Sequence, residues 1–454
     1  MHVEPPQSWR SVDTYRTTQL EGNMYSPSEL IGKIPMNLNP LARIERNIVV
    51  PSDLSSVTRI AEGEMDPELL GLSSDDKEAI WGATEALYKT GLYPAITLCI
   101  RRHGEVLINR SIGHQRGNGP GDIGEAVIAT PDMPMCLFSA SKAITAMVVH
   151  LLEEQGKLNV LNPVSFYIPE FGANGKKNIT VQQILSHRAG IATFKDIDPE
   201  VLFDYDEILN ILYNAKPTTI HGRELAYHAI TGGYVLGELV QRITGESIRE
   251  FMRKHIQEPL GFKYFNYGLP DEQYSDLARN YVTGLPIVFP VKQFIHRVLG
   301  ASFETAVELS NDPRFYQQII PAGNIVATAD ECSRFFQCLL NGGELDGKRI
   351  FDAVTVERAI REVSKPEVDR ILMVPMRYSA GMMLGNTGWG MFGPATAHAY
   401  GHLGLTNNFC WADPERATTV SILTSGNPLA GSHLPRLGML LNTISKRCRT
   451  IPMN

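Results

Sequence analysis

Ser139 and Lys142 stand three positions apart and are the strongest candidates for catalytic chemistry in this chain. Residues at this spacing share one face of a helix, so their side chains can meet. A hydroxyl is a poor nucleophile until a base removes its proton, and a lysine can be that base if burial lowers its pKa. The residues after Lys142 are mostly apolar, which predicts a buried helix. The pair therefore predicts a serine nucleophile with a lysine base.

The same spacing occurs at Ser74 and Lys77, so spacing alone does not identify a catalytic pair. Two aspartates lie between Ser74 and Lys77, which is typical of the solvated start of a helix. The apolar surroundings of Lys142 are what favour Ser139 as the nucleophile.

Several segments around this pair resemble the class C β-lactamase superfamily. They are residues 138–143, 152–158, 184–190 and 341–348, which read FSASKA, LEEQGKL, ILSHRAG and NGGELDGK. They follow the order of the family, and the similarity covers roughly residues 75 to 446. The resemblance implies a serine hydrolase, and the form of its motifs is closest to the family VIII carboxylesterases.

The family places a catalytic tyrosine on a loop of its helical lobe, often as Tyr-x-Asn. Residues 264–266 match these letters, but they follow a Pro-Leu-Gly segment that resembles a later structural element. Residues 227–229 read YHA and lack the asparagine, yet the segment after them resembles the one that follows the family's tyrosine. The YHA form is similar to that of family VIII carboxylesterases. The resemblance implies that Tyr227 passes a proton between the nucleophile, the lysine and the leaving group.

The family also has a strand beside the nucleophile, written Lys-Thr-Gly or His-x-Gly. Residues 89–91 read KTG, but they precede the serine and are typical of the end of a helix. His402, Leu403 and Gly404 come in the expected order. The resemblance implies an oxyanion hole formed by the backbone N–H groups of Ser139 and Leu405, with His402 and Gly404 at the substrate site.

Aromatic residues near these motifs are candidates for an acyl pocket. Phe138 precedes the nucleophile, and Trp389 and Trp411 lie in the last quarter of the chain. Each fits an ordinary position in the core equally well.

Strand and helix patterns in the rest of the sequence indicate the elements that position these motifs. Strand patterns occur at residues 95–101 and 105–112, and again at 399–403, 408–412 and 418–424. Helical patterns dominate between about residues 139 and 320 and return after them. Strands at both ends of the chain predict one antiparallel sheet flanked by helices, with a helical domain inserted between its halves. This is a mixed α/β (α+β) fold of the β-lactamase/penicillin-binding-protein type.

We expect three parts in the chain. Residues 1–70 form an extended arm, 71–160 and 321–454 form the mixed α/β domain, and 161–320 form the helical domain. The active site is expected in the cleft between the two domains. The arm is rich in proline, and its pattern leaves open whether it wraps a neighbouring lobe, wraps a second subunit to make a homo-oligomer, or is a partly disordered tail.

The composition is that of an ordinary soluble globular protein, with 43% hydrophobic and 20% charged residues. The net charge is −7 and no block of lysine and arginine is present, so no nucleic-acid partner is expected. No apolar stretch approaches the roughly 20 residues of a membrane span, and no secretory signal begins the chain. These features predict a cytoplasmic location.

No cofactor or metal is expected. His398 and His402 are four apart, which suits zinc on a helix, but the strand pattern around them argues against a helix. Residues 119–124 read GPGDIG and match a dinucleotide loop in letters only, because no helix follows them.

The predicted function is hydrolysis of short-acyl esters by a serine carboxylesterase that forms an acyl-enzyme on Ser139. Two points based on the resemblance favour an ester: the chain lacks a secretory signal, and Ala229 replaces an asparagine that in lactamases helps to bind an amide. The alternatives are a β-lactamase, a D-amino-acid peptidase or an acyltransferase. From a different class, the alternative is a catalytically silent binding scaffold.

Overall fold

The computed structural model describes residues 45–193, 198–219, 221–363, 365–405 and 407–451. Most of the predicted N-terminal arm, residues 1–44, lies outside this part. The described remainder of the arm packs on the chain's own sheet, because Thr58–Ile60 pairs with residues 110–112.

The strands of the described part are short except in the central sheet. They are β1 Thr58–Ile60, β2 Ala95–Arg102, β3 Glu105–Arg116, β4 Val127–Ile128, β5 Met135–Cys136, β6 Asn266–Tyr267, β7 Ile325–Ala327, β8 Glu344–Leu345, β9 Lys348–Arg349, β10 Glu367–Val368, β11 Pro375–Met376, β12 Met383–Leu384, β13 Trp389–Gly390, β14 Gly393–Pro394, β15 Tyr400–Leu403, β16 Phe409–Asp413 and β17 Thr418–Thr424.

The central sheet is antiparallel and is built from both ends of the chain. Its order is β1-β3-β2-β17-β16-β15-β12, with β4 pairing β3 at one side. The two halves meet where β17 pairs β2, with Ile422 opposite Leu98. This is the predicted mixed fold, with strands from both chain ends in one sheet.

The α-helices of the described part lie before, between and after these strands. They are α1 Ser74–Tyr88, α2 Ser141–Glu154, α3 Val164–Tyr167, α4 Val181–Leu185, α5 Tyr205–Asn214, α6 Thr231–Thr244, α7 Ile248–Met252, α8 Glu258–Leu260, α9 Val291–Leu299, α10 Phe303–Leu309, α11 Pro313–Gln317, α12 Ala329–Leu340, α13 Ala353–Ile360 and α14 His433–Arg447.

Helices cover both faces of the central sheet, so that each face is buried. Along β2, Ala95 and Cys99 belong to the core shared with α2 and α12. Ile96, Leu98 and Ile100 belong to the core on the other face, shared with α1 and α14. This alternation follows from the two-residue period of a strand. The result is a three-layered domain in which α2, the helix that follows Ser139, lies under one face of the sheet.

The six cysteines all lie in the described part, where each is buried and none forms a disulfide. In the ranges that the structure describes, no helix is long and apolar enough to cross a bilayer.

Candidate active site

Ser139 lies on a tight turn that leads directly into α2. The turn is a single 3₁₀ element, Phe138–Ala140. Ile325 of β7 holds both sides of it: the backbone N–H of Leu137 donates to the Ile325 carbonyl at 2.9 Å, and the Ile325 N–H donates to Ser141 Oγ at 3.1 Å. Phe138 has a φ of 47°, which is rare for a bulky residue. The surrounding contacts therefore fix a strained backbone just before the candidate nucleophile.

Lys142 lies one helical turn after Ser139 and is buried beside it. Its Nζ lies 2.9 Å from Ser139 Oγ and 3.0 Å from the Ala322 carbonyl, to which it donates. The described residues offer its amine no carboxylate partner. Burial lowers the pKa of Lys142 well below its ordinary value. A neutral amine has a free lone pair, so Lys142 can accept the proton of Ser139.

Lys77, in the other Ser-x-x-Lys pair, is also buried but has a different environment. The expectation that it is solvated was wrong: its Nζ lies 2.9 Å from the carboxylate of Glu64. Glu64 also binds Arg110, so the lysine belongs to a buried ion-pair cluster. Lys77 therefore has a structural ion-pair partner, which the amine of Lys142 lacks among the described residues.

Tyr227 lies on the other side of Ser139, the candidate nucleophile. Its ring centre is 5.0 Å from Nζ of Lys142, and its phenol is close enough to Ser139 for the two hydroxyls to interact. Burial raises the pKa of Tyr227, although the neighbouring hydroxyl of Ser139 opposes this shift. The phenol is therefore protonated at neutral pH and can donate to a leaving group.

The backbone of the Tyr227 loop is held at three consecutive N–H groups. The N–H of Ala226 donates to the His187 carbonyl at 3.0 Å, and the N–H of His228 donates to Nδ1 of His187 at 3.1 Å. Between them, the N–H of Tyr227 donates to Oδ1 of Asp369 at 3.1 Å. His187 has a φ of 60°, which lets its carbonyl and its ring face the same loop. We call these contacts of His187 and Asp369 the tyrosine clamp.

Asp369 was not predicted, and it is fully buried. Its Oδ1 also accepts from the backbone N–H groups of Ile371 and Leu372, at 2.8 and 3.0 Å. Asp369 follows a short strand in an unremarkable segment, so the sequence carries no signal for it. His187 lies in the ILSHRAG segment, which the sequence identified without assigning it a contact.

Tyr264, the alternative tyrosine, lies in another environment. Its hydroxyl donates to Asp276 at 2.8 Å, and Lys263 binds it from the other side. The KTG segment ends α1, since Lys89 caps that helix and Gly91 has a φ of 77°.

His402, Leu403 and Gly404 lie at the end of β15, between β16 and β12. His402 is buried, and burial lowers its pKa to about 3, so its ring is neutral. Its Nδ1 donates to the Leu403 carbonyl at 2.7 Å, and its ring centre is 6.1 Å from that of Tyr227. His402 thus packs behind the tyrosine and is not part of the cavity wall at Ser139.

Gly404 brings the strand close to the turn that carries Ser139. A Cβ at this position would lie 2.3 Å from the Leu137 carbonyl oxygen, so only glycine fits. The glycine therefore allows the end of β15 to approach the backbone beside Ser139 closely. Leu405, the expected second oxyanion donor, follows in the wall of the same cavity as Ser139.

Ser139 and Tyr227 open onto a cavity of about 390 Å³, which we call the reaction cavity. The two helices α9 and α10 cover one side of it. Phe138 and Leu405 lie in its wall, whereas Trp389 lines a neighbouring cavity. Apart from Ser139 and Tyr227, every described residue of the wall is apolar or glycine: Phe138, Leu202, Ala229, Ile230, Val298, Leu299, Ala301, Ala306, Leu309, Phe315, Ile320, Ala322, Gly323, Leu372, Val374, Met376, Met383, Met391, Leu403, Gly404 and Leu405.

Comparison with known protein families agrees with this geometry. The Beta-lactamase family profile matches residues 83–439. The chain belongs to the β-lactamase family. It therefore has the β-lactamase/penicillin-binding-protein fold of a serine hydrolase family, as the sequence predicted.

Relatives of this β-lactamase-family chain include proteins described as esterases. It is 30% identical to "Esterase/beta-lactamase LipL" of Mycobacterium tuberculosis over 310 residues, which cover 64% of this chain and 69% of the relative. A penicillin-binding protein homologue from Caulobacter crescentus superposes with a TM-score of 0.70 at 27% identity, covering 82% of this chain and 97% of that one. A family VIII carboxylesterase superposes with a TM-score of 0.70 at 24% identity, covering 83% and 99%, and shows the shared fold.

Proposed function

We propose that this protein is a serine carboxylesterase that hydrolyses neutral, apolar esters, including short-acyl esters, through an acyl-enzyme on Ser139. The observation that carries the proposal is the position of Ser139 between the buried amine of Lys142 and the phenol of Tyr227, at the wall of an apolar cavity.

The acylation step follows from these positions. Oγ of Ser139 forms a bond to the ester carbonyl carbon, and its proton passes to the neutral amine of Lys142. The carbonyl oxygen becomes an oxyanion, for which the backbone N–H groups of Ser139 and Leu405 are the proposed donors. The bond to the alkoxide then breaks, and Tyr227 supplies its proton while Lys142 returns one to the phenol.

Deacylation repeats this sequence with water as the nucleophile. Water attacks the acyl carbon, and its proton passes to the Lys142–Tyr227 pair. The acid leaves, and Ser139 regains its proton from the pair. An ester and one water thus give one acid and one alcohol, and the protein returns to its starting state.

The cavity wall favours an ester over a β-lactam or a D-amino-acid peptide. Lactam antibiotics and peptide C-termini carry a carboxylate, which is costly to bury without a cationic or hydrogen-bonding partner. The wall that the structure describes carries no lysine, arginine or histidine. A neutral ester needs none. The relative described as an esterase and β-lactamase supports ester chemistry and keeps lactam hydrolysis as the second candidate.

Hydrolysis of p-nitrophenyl butyrate and of a chromogenic cephalosporin, measured side by side, tests the proposal. Ester turnover should dominate, and Ser139→Ala should lower it by at least about 10³-fold. Ser74→Ala is the matched control, because it removes the exposed serine of the other Ser-x-x-Lys pair and should change nothing. Dominant cephalosporin cleavage, or ester turnover that survives Ser139→Ala, would refute the proposal. A fluorophosphonate probe that fails to label Ser139 would instead support a binding scaffold.

A further inference from the structure

A second apolar cavity of about 480 Å³ lies beside the reaction cavity. One side of it is a stripe of helix α14, formed by Leu434, Leu437, Gly438 and Leu441. These positions follow helical spacing and so share one face. Trp389 and Leu434 are both more than half exposed, with relative exposures of 56% and 51%. Large apolar side chains at an open cavity indicate a binding site for something apolar.

The two cavities share a wall. Four residues line both of them: Val374, Met376, Met391 and Leu403. Methionine side chains are unbranched and adapt their shape at low cost, so a wall with two of them can part around a narrow chain. An aliphatic tail that starts at Ser139 therefore has a direct route into the second cavity.

The charge of the second cavity excludes an anionic occupant. Its lining includes one cationic side chain among the described residues, Arg377, and that guanidinium is already paired. It binds both carboxylate oxygens of Glu362, at 3.0 and 2.8 Å, and it also donates to the Gly385 carbonyl. Among the described lining residues, no free positive charge is left to hold a carboxylate or a phosphate.

We propose that the second cavity binds the distal part of a long aliphatic chain, so that the preferred substrates are neutral esters of long-chain fatty acids. This inference rests on the proposed ester hydrolysis at Ser139. The carbonyl lies at Ser139, the first methylenes fill the reaction cavity, and the remainder passes between Met376 and Met391 towards Trp389. Short-acyl esters still react, but they leave the second cavity empty.

Gly438 allows a sharp test of the tail site. A Cβ built at this position meets only Cζ2 of Trp389, at 3.7 Å, which is an ordinary contact. Gly438→Phe therefore brings a bulky side chain to the wall of the second cavity with no clash at its Cβ. Glycine is among the poorest helix formers, so α14 should tolerate the change. Gly82→Phe is the matched control, since Gly82 is an exposed glycine inside helix α1 with open space around it.

The experiment compares kcat/KM for p-nitrophenyl butyrate, octanoate, dodecanoate and hexadecanoate in the full chain. With the native protein, kcat/KM should rise by up to about fourfold for each methylene that becomes buried. Gly438→Phe should lower the ratio of hexadecanoate to butyrate turnover at least tenfold, and Gly82→Phe should leave all four values unchanged. Melting curves of both variants establish that they are folded.

Other results would show whether the tail site or the proposed ester hydrolysis is wrong. If esters are hydrolysed and both variants give the native ratio of hexadecanoate to butyrate turnover, the tail site is wrong but the proposed ester hydrolysis is unaffected. If the native protein hydrolyses no ester, the proposed function fails, and binding of 1-decanol measured by calorimetry then decides the tail site. At least tenfold weaker decanol binding in Gly438→Phe would support the site, and equal affinity in Gly438→Phe and Gly82→Phe would overturn it.

Discussion

At the scale of single residues, the state of a buried lysine depends on its partners. Lys77 and Lys142 both follow a serine by three positions, and both are buried. Glu64 balances the charge of Lys77, whereas Lys142 faces a hydroxyl and a carbonyl. Burial without a counter-ion destabilises the charged form of an amine and so lowers its pKa. The same spacing thus gives a structural ion pair at one site and a candidate general base at the other.

Lys142→Met should abolish ester turnover and change how stability depends on pH. Burial lowers the pKa of Lys142 in the folded protein below the value of the unfolded chain, so folding at a pH between these two pKa values releases a proton. The free energy of unfolding of the native protein should then rise with pH between the folded and unfolded pKa, by up to about 1.4 kcal/mol per pH unit. Lys142→Met has no amine at this position and so lacks this contribution to the pH dependence of the free energy of unfolding. Urea denaturation at pH 7 and pH 9 measures both proteins.

The expected result is that any stability advantage of Lys142→Met over the native protein shrinks from pH 7 to pH 9. Lys77→Met is the control, and it should be less stable than the native protein because it removes one partner from a buried ion pair. A stability difference between Lys142→Met and native that stays constant with pH would show that Lys142 keeps its proton when folded.

The sequence could predict residues whose partners are near in the chain. Ser139 and Lys142 lie within one helical turn. The apolar residues after them predict that Lys142 is buried, as a lysine base requires. The environment of Lys77 could not be predicted, because Glu64 lies in an earlier segment that no helix or strand period links to it. Trp389 shows the same limit: its residue type suggested a substrate pocket, but only the fold determines which of two neighbouring cavities it lines.

At the scale of elements, the tyrosine clamp connects three segments that are distant in the chain. His187 follows α4, the Tyr227 loop precedes α6, and Asp369 follows β10. Backbone N–H groups in a buried loop need acceptors, and here a histidine and an aspartate supply them. Nothing in the periodicity of these segments predicts that they meet, so the contact of Asp369 with the Tyr227 loop could not be predicted from the sequence.

Asp369→Ala should slow catalysis by releasing Tyr227. It leaves three backbone N–H groups without their acceptor, one of them buried and two partly buried, at a cost of about 1–3 kcal/mol for each that stays buried and unsatisfied. We expect kcat for p-nitrophenyl butyrate to fall by more than KM rises, because the loop carries Tyr227, the proposed proton donor. Asp369→Asn keeps a side-chain carbonyl oxygen and should restore part of the rate.

The double variant Asp369→Ala/Tyr227→Phe separates positioning from a general loss of structure. If Asp369 acts through the phenol, the double variant should be about as slow as Tyr227→Phe alone. Losses in kcat that multiply would mean that Asp369 supports the site by another route, such as the cavity wall at Leu372.

At the scale of the whole molecule, the segment just before the first strand joins parts that are far apart in the chain. The backbone of Arg46 exchanges hydrogen bonds with Gly284, at 2.9 and 3.2 Å, and the N–H of Ile48 donates to the Gly91 carbonyl at 2.8 Å. The carboxylate of Glu45 accepts from the backbone and hydroxyl of Ser432, which caps α14. A carboxylate at that end of a helix is favourable. This short segment therefore ties the middle of the chain to both ends of the sheet domain.

Ile48→Ala should destabilise the whole fold, because Ile48 is buried with 8% exposure while its neighbour Val49 is 77% exposed. Truncating a buried isoleucine costs about 2–5 kcal/mol in the free energy of unfolding, whereas an exposed valine should change it by less than about 0.5 kcal/mol. Urea denaturation of Ile48→Ala and Val49→Ala, followed by far-UV circular dichroism and by turnover of p-nitrophenyl butyrate, measures the difference. If the segment closes the molecule as one cooperative unit, both signals should shift together to lower urea concentration in Ile48→Ala. A normal midpoint for both variants, or a loss of structure that leaves turnover untouched, would mean that the segment folds onto the rest of the chain without supporting it.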